Sequence, residues 1–181
     1  MRLAISGSHR VGKSTLAEAI VDALPGHTLI PEPYYQLEDD GYDFEDPPSL
    51  EDFERQLERS LTSLGEGTPD VVFDRCPLDL VAYLQTHRQR AGFDIDDWRP
   101  RIREAMATLD LVVFVPVETP DRLPVDLREQ RLRARVDGAL RELVLDDALD
   151  LGVETLEVRG AVEARLRQAL AHLARGTSSP G

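Results

Sequence analysis

Nine consecutive residues, Gly7-Ser8-His9-Arg10-Val11-Gly12-Lys13-Ser14-Thr15, fit the spacing G-x-x-x-x-G-K-[ST] in full. Each part of that pattern has a chemical use. The glycines let the backbone curl so that successive N–H groups point at phosphate oxygens. A helix opening at Lys13 adds the positive end of its dipole. Lys13 is placed to reach the β- and γ-phosphates, and the Ser14 hydroxyl to ligate Mg²⁺. The whole run 7–15 is expected to bind ATP. Lys13 is also the only lysine, against 20 arginines. Arginine is a planar fork, whereas lysine is a compact point charge on a flexible stem. A sole lysine where the pattern demands one argues against a chance glycine-rich turn.

Two carboxylates come next. Glu32, in Ile30-Pro31-Glu32-Pro33-Tyr34-Tyr35, follows a short apolar run. A carboxylate there could accept a proton from an attacking hydroxyl, and either tyrosine could stack on a ring. The plainer alternative is a proline-braced turn carrying a solvated glutamate. Asp74, in Val71-Val72-Phe73-Asp74-Arg75-Cys76-Pro77, ends a second apolar run. It could hold Mg²⁺ or act as the base, while Arg75 could grip a phosphate or carboxylate bidentately. Further along, Arg128, Arg131 and Arg135 follow i, i+3, i+7 and share one helical face, with Arg133 pointing elsewhere. Arginines that close over a transferring phosphoryl group stabilise its charge. Arg128 and Arg131 are the first choices for that role; a solvated face paired with Glu129 and Asp137 is the alternative. Arg159-Gly160 follows the last apolar run. No histidine or cysteine spacing suggests a metal cluster, and Trp98 reads as a packing residue.

The elements that must position these groups alternate in type. Residues 3–6 read as a buried strand, and Leu16, Ala17, Ile20, Val21 and Leu24 give a helix ended by Pro25-Gly26. A strand over 28–30 follows. The acidic stretch 36–48 reads as an exposed loop. Ser49 and Asp52 form a capping box for a helix to Gly65. A strand over 71–74, a helix from Pro77 to about Gly92 and a helix over 99–108 come next. Residues 111–115, apolar without alternation, read as a strand buried on both faces. After the prolines 116, 120 and 124, an arginine-rich helix spans 127–149. A strand over 153–158 and a helix over 161–174 complete the chain, with a disordered tail over 176–181. Such alternation implies a parallel sheet covered on both faces.

The 181 residues amount to one domain, 41% hydrophobic and 30% charged, with one cysteine. A net charge of −13 disfavours nucleic acid as a partner. No apolar run is long enough for a membrane span, and the N-terminus lacks a signal core, so a cytoplasmic protein is expected. The oligomeric state is left open, a homodimer included. A guanine-reading Asn-Lys-x-Asp motif would need a second lysine, and there is no Leu-Ser-Gly-Gly signature.

Taken together, the phosphate loop, Glu32-Pro33 and Asp74-Arg75 resemble the P-loop kinases of nucleosides and nucleotides. The opening, with the segment from Asp74 to Asp79, is most similar to small bacterial AAA-type ATP-binding proteins grouped with nicotinamide riboside kinase domains. Cys76 departs from the serine usual at that place, and 33–60 matches no family pattern. The resemblance implies an α/β, three-layer fold whose five-stranded parallel sheet has the order 2-3-1-4-5. It implies a lid over about 117–140, within a single unit spanning 1–175. It further implies an ATP- and Mg²⁺-dependent phosphotransferase acting on a small acceptor. Lys13, Asp74, Glu32, Arg75, Arg128 and Arg131 would be catalytic, and Ser14 and Asp74 would hold the metal. Arg159 and Gly160 would lie against adenine. Two alternatives stand beside this: a kinase of another small hydroxyl compound such as an antibiotic or sugar, and a regulatory ATP-binding module.

Overall fold

Short runs of β-branched and other apolar residues, each followed by a helix, give the chain its sheet. The structure, a computed structural model, describes residues 1–87, 92–118 and 126–176. Five parallel strands, β1 (Arg2–Ser6), β2 (Thr28–Ile30), β3 (Val71–Asp74), β4 (Leu111–Phe114) and β5 (Thr155–Glu157), lie in the order β2-β3-β1-β4-β5. This is the expected order. The register pairs Ile5 with Asp74 and Ile5 with Val113, so three strands end level with one another.

The strands' period of two divides the core. Leu3, Ile5, Val72, Leu111 and Val113 pack on one face against α1 (Lys13–Ala23) and α7 (Val162–Gly176). On the other face, Ala4, Val71, Phe73, Val112 and Phe114 pack against α3 (Leu50–Gly65), α4 (Pro77–Thr86), α5 (Ile95–Met106) and α6 (Leu127–Leu140). β1, β3 and β4 are buried throughout, as their unbroken apolar runs require.

Several boundaries differ from the sequence expectation. Residues Pro33–Asp39 form a helix, α2, which takes in the first four residues of the stretch 36–48 expected to be a loop. Pro33 sits at its first position with φ already set, and Tyr34 donates to Glu38 one turn on. Helix α5 begins at Ile95, not 99, because Asp94 caps it by accepting from the Asp96 N–H. The arginine-rich helix does not run to 149: after Leu140 it loosens into a π turn over Arg141–Leu145. The Ser49–Asp52 capping box forms as expected. The prolines 120 and 124 and residues 177–181 lie outside the described residues.

Candidate functional site

Every residue singled out from the sequence as a phosphate or acid site stands at the carboxyl end of the sheet, or on a helix packed over it. In parallel α/β sheets this is where ligands bind. The loop after β1 curls because two of its glycines take conformations closed to other residues. Gly12 has φ +88 and caps α1, and a Cβ on Gly7 would stand 2.4 Å from the Val115 carbonyl oxygen. Helix α4 braces the loop from below. Asp79 Oδ1 accepts from the Gly7 N–H at 2.9 Å, and the Tyr83 oxygen accepts from the His9 N–H at 3.0 Å. Tyr83 Oη also lies 2.9 Å from His9 Nδ1. Tyr83 is then the donor to Nδ1, which leaves the imidazole proton on Nε2, 3.5 Å from Glu129 Oε1. Burial, partly opposed by Glu129, pushes the His9 imidazole down to about 4, so it is neutral at pH 7.

Lys13 lies buried beneath this loop, 3% exposed, with Nζ donating to the Ser8 carbonyl at 3.0 Å. Burial, reinforced by the nearby Arg75 charge, pushes its ammonium down to about 8. The loop suits phosphate: the N-terminus of α1 and a buried cation, Lys13, meet there.

Asp74 and Glu32 occupy different environments. The Asp74 carboxylate is buried, and its Oδ1 has no hydrogen-bond partner among the described residues. Burial raises it above the usual carboxylate range, with the Ser14 hydroxyl and Lys13 pulling the other way. A hydroxyl and an orphaned carboxylate oxygen, both hard oxygen donors, fit Mg²⁺, which keeps most of its shell for water and phosphate. Among the described residues no cluster of three histidine, cysteine or acid side chains competes for a metal. Glu32 is held instead by Arg75, whose Nε donates to Oε2 at 2.6 Å. Burial would raise the Glu32 carboxyl, but Arg75 and Lys13 hold it below its usual range.

Arg75 is the hub. Its φ is +84, and it is 8% exposed. Besides Glu32 it reaches the Gly7 carbonyl and Asp79 Oδ1, both at 3.4 Å, and its guanidinium lies 5.5 Å from the Tyr83 ring centre. Arg75, Asp79 and Tyr83 recur every four residues, a spacing that carries the hub onto α4. In the sequence Asp79 stands only as the end of the Asp74–Asp79 segment; that spacing is the signal for its role.

Helix α6 splits its arginines. Arg133, set apart from the other three in the sequence, is the one turned inward: it is 2% exposed and its Nε donates to the His9 carbonyl at 3.1 Å. Arg10 of the loop reaches across to Glu129 at 2.9 Å. Arg128 and Arg131 are exposed. Arg128 and Arg135 line a cavity of about 310 Å³ between α3, α4 and α6, floored by Phe53, Tyr83 and Leu132. Phe53 and Tyr83 stack there, 5.2 Å between ring centres and nearly parallel. Because Tyr83 is bonded to His9, the cavity abuts the phosphate loop directly.

Beyond β5, Arg159 pairs with Glu157, and the Gly160 N–H donates to Glu118 Oε1 at 2.6 Å. Glu118 also accepts from Arg165, which itself donates to the Val11 carbonyl at 2.6 Å. Arg165 and Glu118 thus tie the 159–160 turn to the phosphate loop, a link that no local sequence pattern signals. Tyr34 stacks on Phe44 at 4.3 Å, and Trp98 packs at the core's edge under Arg101. Cys76 is buried, with Sγ 3.5 Å from Asp79 Oδ2.

The family model described as AAA domain matches residues 2–165. A search of the curated proteins returns no match. Among solved structures, deoxyadenosine kinase from M. mycoides with bound dATP aligns over 96% of this chain and 100% of its own, at TM-score 0.63 and 17% identity. NadR protein in complex with NR aligns at TM-score 0.69 and 17% identity over 99% of this chain and 51% of its own. Shikimate kinase from Acinetobacter baumannii in complex with shikimate aligns at TM-score 0.58 and 16% identity, over 99% and 95%. At such identities the likeness is one of fold.

Proposed function

This chain belongs to the AAA domain family, and on its site we propose that it is an ATP- and Mg²⁺-dependent kinase of a small, nucleoside- or nucleotide-like acceptor. One observation carries the reading. Lys13, Asp74, Arg75 and Glu32 converge at the carboxyl end of the sheet, and Arg75 lies against the ring of Tyr83, which lines a cavity large enough for a small molecule. That the aligned solved structures are those of kinases supports it.

The loop amides and Lys13 hold the β- and γ-phosphates. Ser14 and Asp74 hold Mg²⁺, which when bound neutralises charge on the phosphates. Arg75 fixes Glu32 so that its carboxylate faces the acceptor hydroxyl and takes its proton. A carboxylate held below its usual range is a weak base. That suffices, because a loose phosphoryl-transfer transition state asks for orientation more than for proton abstraction. Arg133 and Arg10, the guanidiniums at the loop, stabilise the charge on the moving group. Arg159 and Gly160 form the turn against which the base of ATP lies. Among the described residues no helix is long and apolar enough to cross a membrane. A cytoplasmic setting, with its ATP supply, suits the reading.

The test is an ATP-consumption screen against nucleosides, nucleoside monophosphates, nicotinamide riboside, and hydroxylated antibiotics and sugars. One compound should stimulate turnover strongly. Glu32→Gln should lower kcat by about 10²-fold or more, and Asp74→Asn should raise the Mg²⁺ concentration needed. Tight ATP binding that no compound stimulates would turn the reading toward a regulatory ATP-binding module.

A further inference from the structure

The polar groups around the 310 Å³ cavity are nearly all spoken for. The Tyr83 hydroxyl is bonded to His9, and Thr86 Oγ1 donates to the Ala82 carbonyl at 2.8 Å. His87 Nε2 lies 3.3 Å from the Pro48 carbonyl. Asp126 Oδ1 accepts from the Glu129 N–H, and Glu129 Oε1 accepts from Arg10. Two groups differ. Arg128 and Arg135 line the cavity, and neither has a hydrogen bond or ion pair with any described residue. In a chain of 34 acidic and 21 basic residues, two such guanidiniums at one cavity are a departure. Twelve of the other fifteen described arginines, among them Arg55, Arg59, Arg99, Arg101 and Arg141, do find carboxylates or carbonyls.

Their placement gives them a common target. Seven residues apart on α6, they stand two turns and about 10 Å apart along the helix axis. They bracket Leu132, which lines the apolar part of the same cavity. Among the described residues no asparagine or glutamine lines the cavity, so their side chains offer no carboxamide's paired donor and acceptor to read the edge of a neutral base. An apolar floor, a stacked aromatic pair and two uncommitted guanidiniums instead match a ring that carries an oxyanion.

From this we infer that the acceptor is an anionic ring compound: its hydroxyl faces Glu32, and a phosphate or carboxylate on its far side is gripped by Arg128 and Arg135. This inference rests on the kinase reading for the site, but its test does not. Calorimetric titrations use the full chain with saturating Mg²⁺ and a non-hydrolysable ATP analogue, which blocks the phosphate loop to other anions. The probes are matched pairs: nucleosides against their 3′- and 5′-monophosphates, and cyclic hydroxy acids against their amides. The first pair reports a phosphate, the second a carboxylate. The charged member of at least one pair should bind about tenfold tighter or more, as a charge-assisted hydrogen bond in a partly dry pocket gives. Arg128→Gln and Arg135→Gln should each reduce that preference, and the double variant should erase it. Arg167→Gln, the same charge change on an exposed part of α7, should leave it intact. Thermal melts would confirm that each variant is folded. Equal affinity within every pair overturns the inference, as does a preference that survives the double variant. Charge preference without acceptor-stimulated ATP consumption would uphold the anion site and sink the kinase reading. Consumption driven equally by neutral and charged members would do the reverse.

Discussion

Lys13 should take up a proton when nucleotide binds, and the size of that uptake follows from its burial. In the free protein the ammonium is 3% exposed beside Arg75, and its pKa is pushed down to about 8 from 10.5. The folded chain therefore holds that proton less tightly than the unfolded chain does. Between pH 8 and 10.5 the unfolded state carries more protons, so this group makes the free protein more stable as pH rises through the window. The full effect is about 3 kcal/mol. The anionic phosphates of a bound nucleotide restore the ammonium to its ordinary range. Binding at pH 8 should then take up about half a proton, and at pH 9 nearly one. Between pH 7.5 and 9.5 the Kd for nucleotide should rise by about 20-fold. Calorimetry in buffers of different ionisation enthalpy measures the uptake directly, and working above pH 7.5 avoids the titration of the γ-phosphate. A flat Kd over this range, with no buffer dependence of the binding heat, would refute the placement of a buried, destabilised ammonium in the phosphate loop.

Three further outcomes test the frame around it. Gly7→Ala places a Cβ 2.4 Å from the Val115 carbonyl, a backbone atom that cannot swing aside; chemical denaturation should show a loss of about 1–3 kcal/mol, together with weakened nucleotide binding. Asp79→Asn sets an amide donor against one of the Gly7 and Cys76 N–H groups, which bond to different oxygens of Asp79, and weakens the partner of Arg75; the same assay should show a loss of about 3 kcal/mol or more. A native melting curve would contradict either change. The His9 imidazole is pushed down to about 4 from 6.5. The unfolded chain thus gains that proton first as pH falls, and the melting temperature should drop between pH 6.5 and 4; His9→Gln should flatten that slope, and an unchanged slope would count against the burial of a neutral His9.

The curled loop after β1 was legible in the sequence because its pattern is local. Its glycines, the lone Lys13 and Ser14 lie within one turn, and their spacing alone imposes a cradle. The strands were legible for a similar reason, since unbroken apolar runs such as Leu111–Phe114 can sit only inside a parallel sheet. Glu32 and Asp74 were recognisable as strand-end acids, but their different surroundings were not. Only packing decides that Asp74 is buried beside Ser14 while Arg75, 43 residues from Glu32, clamps the latter. Helix α2 escaped notice because its acidic composition resembles a loop, whereas Pro33 fixes its first turn. The lid arginines show the limit most clearly. Spacing groups Arg128, Arg131 and Arg135 on one face, and that grouping is correct. It cannot say which face meets the phosphate loop. The contact of α6 with His9 and α4 determines that, and it turns Arg133 inward and leaves Arg128 and Arg135 at the cavity. A local pattern fixes which side chains travel together, and long-range packing alone fixes what they face.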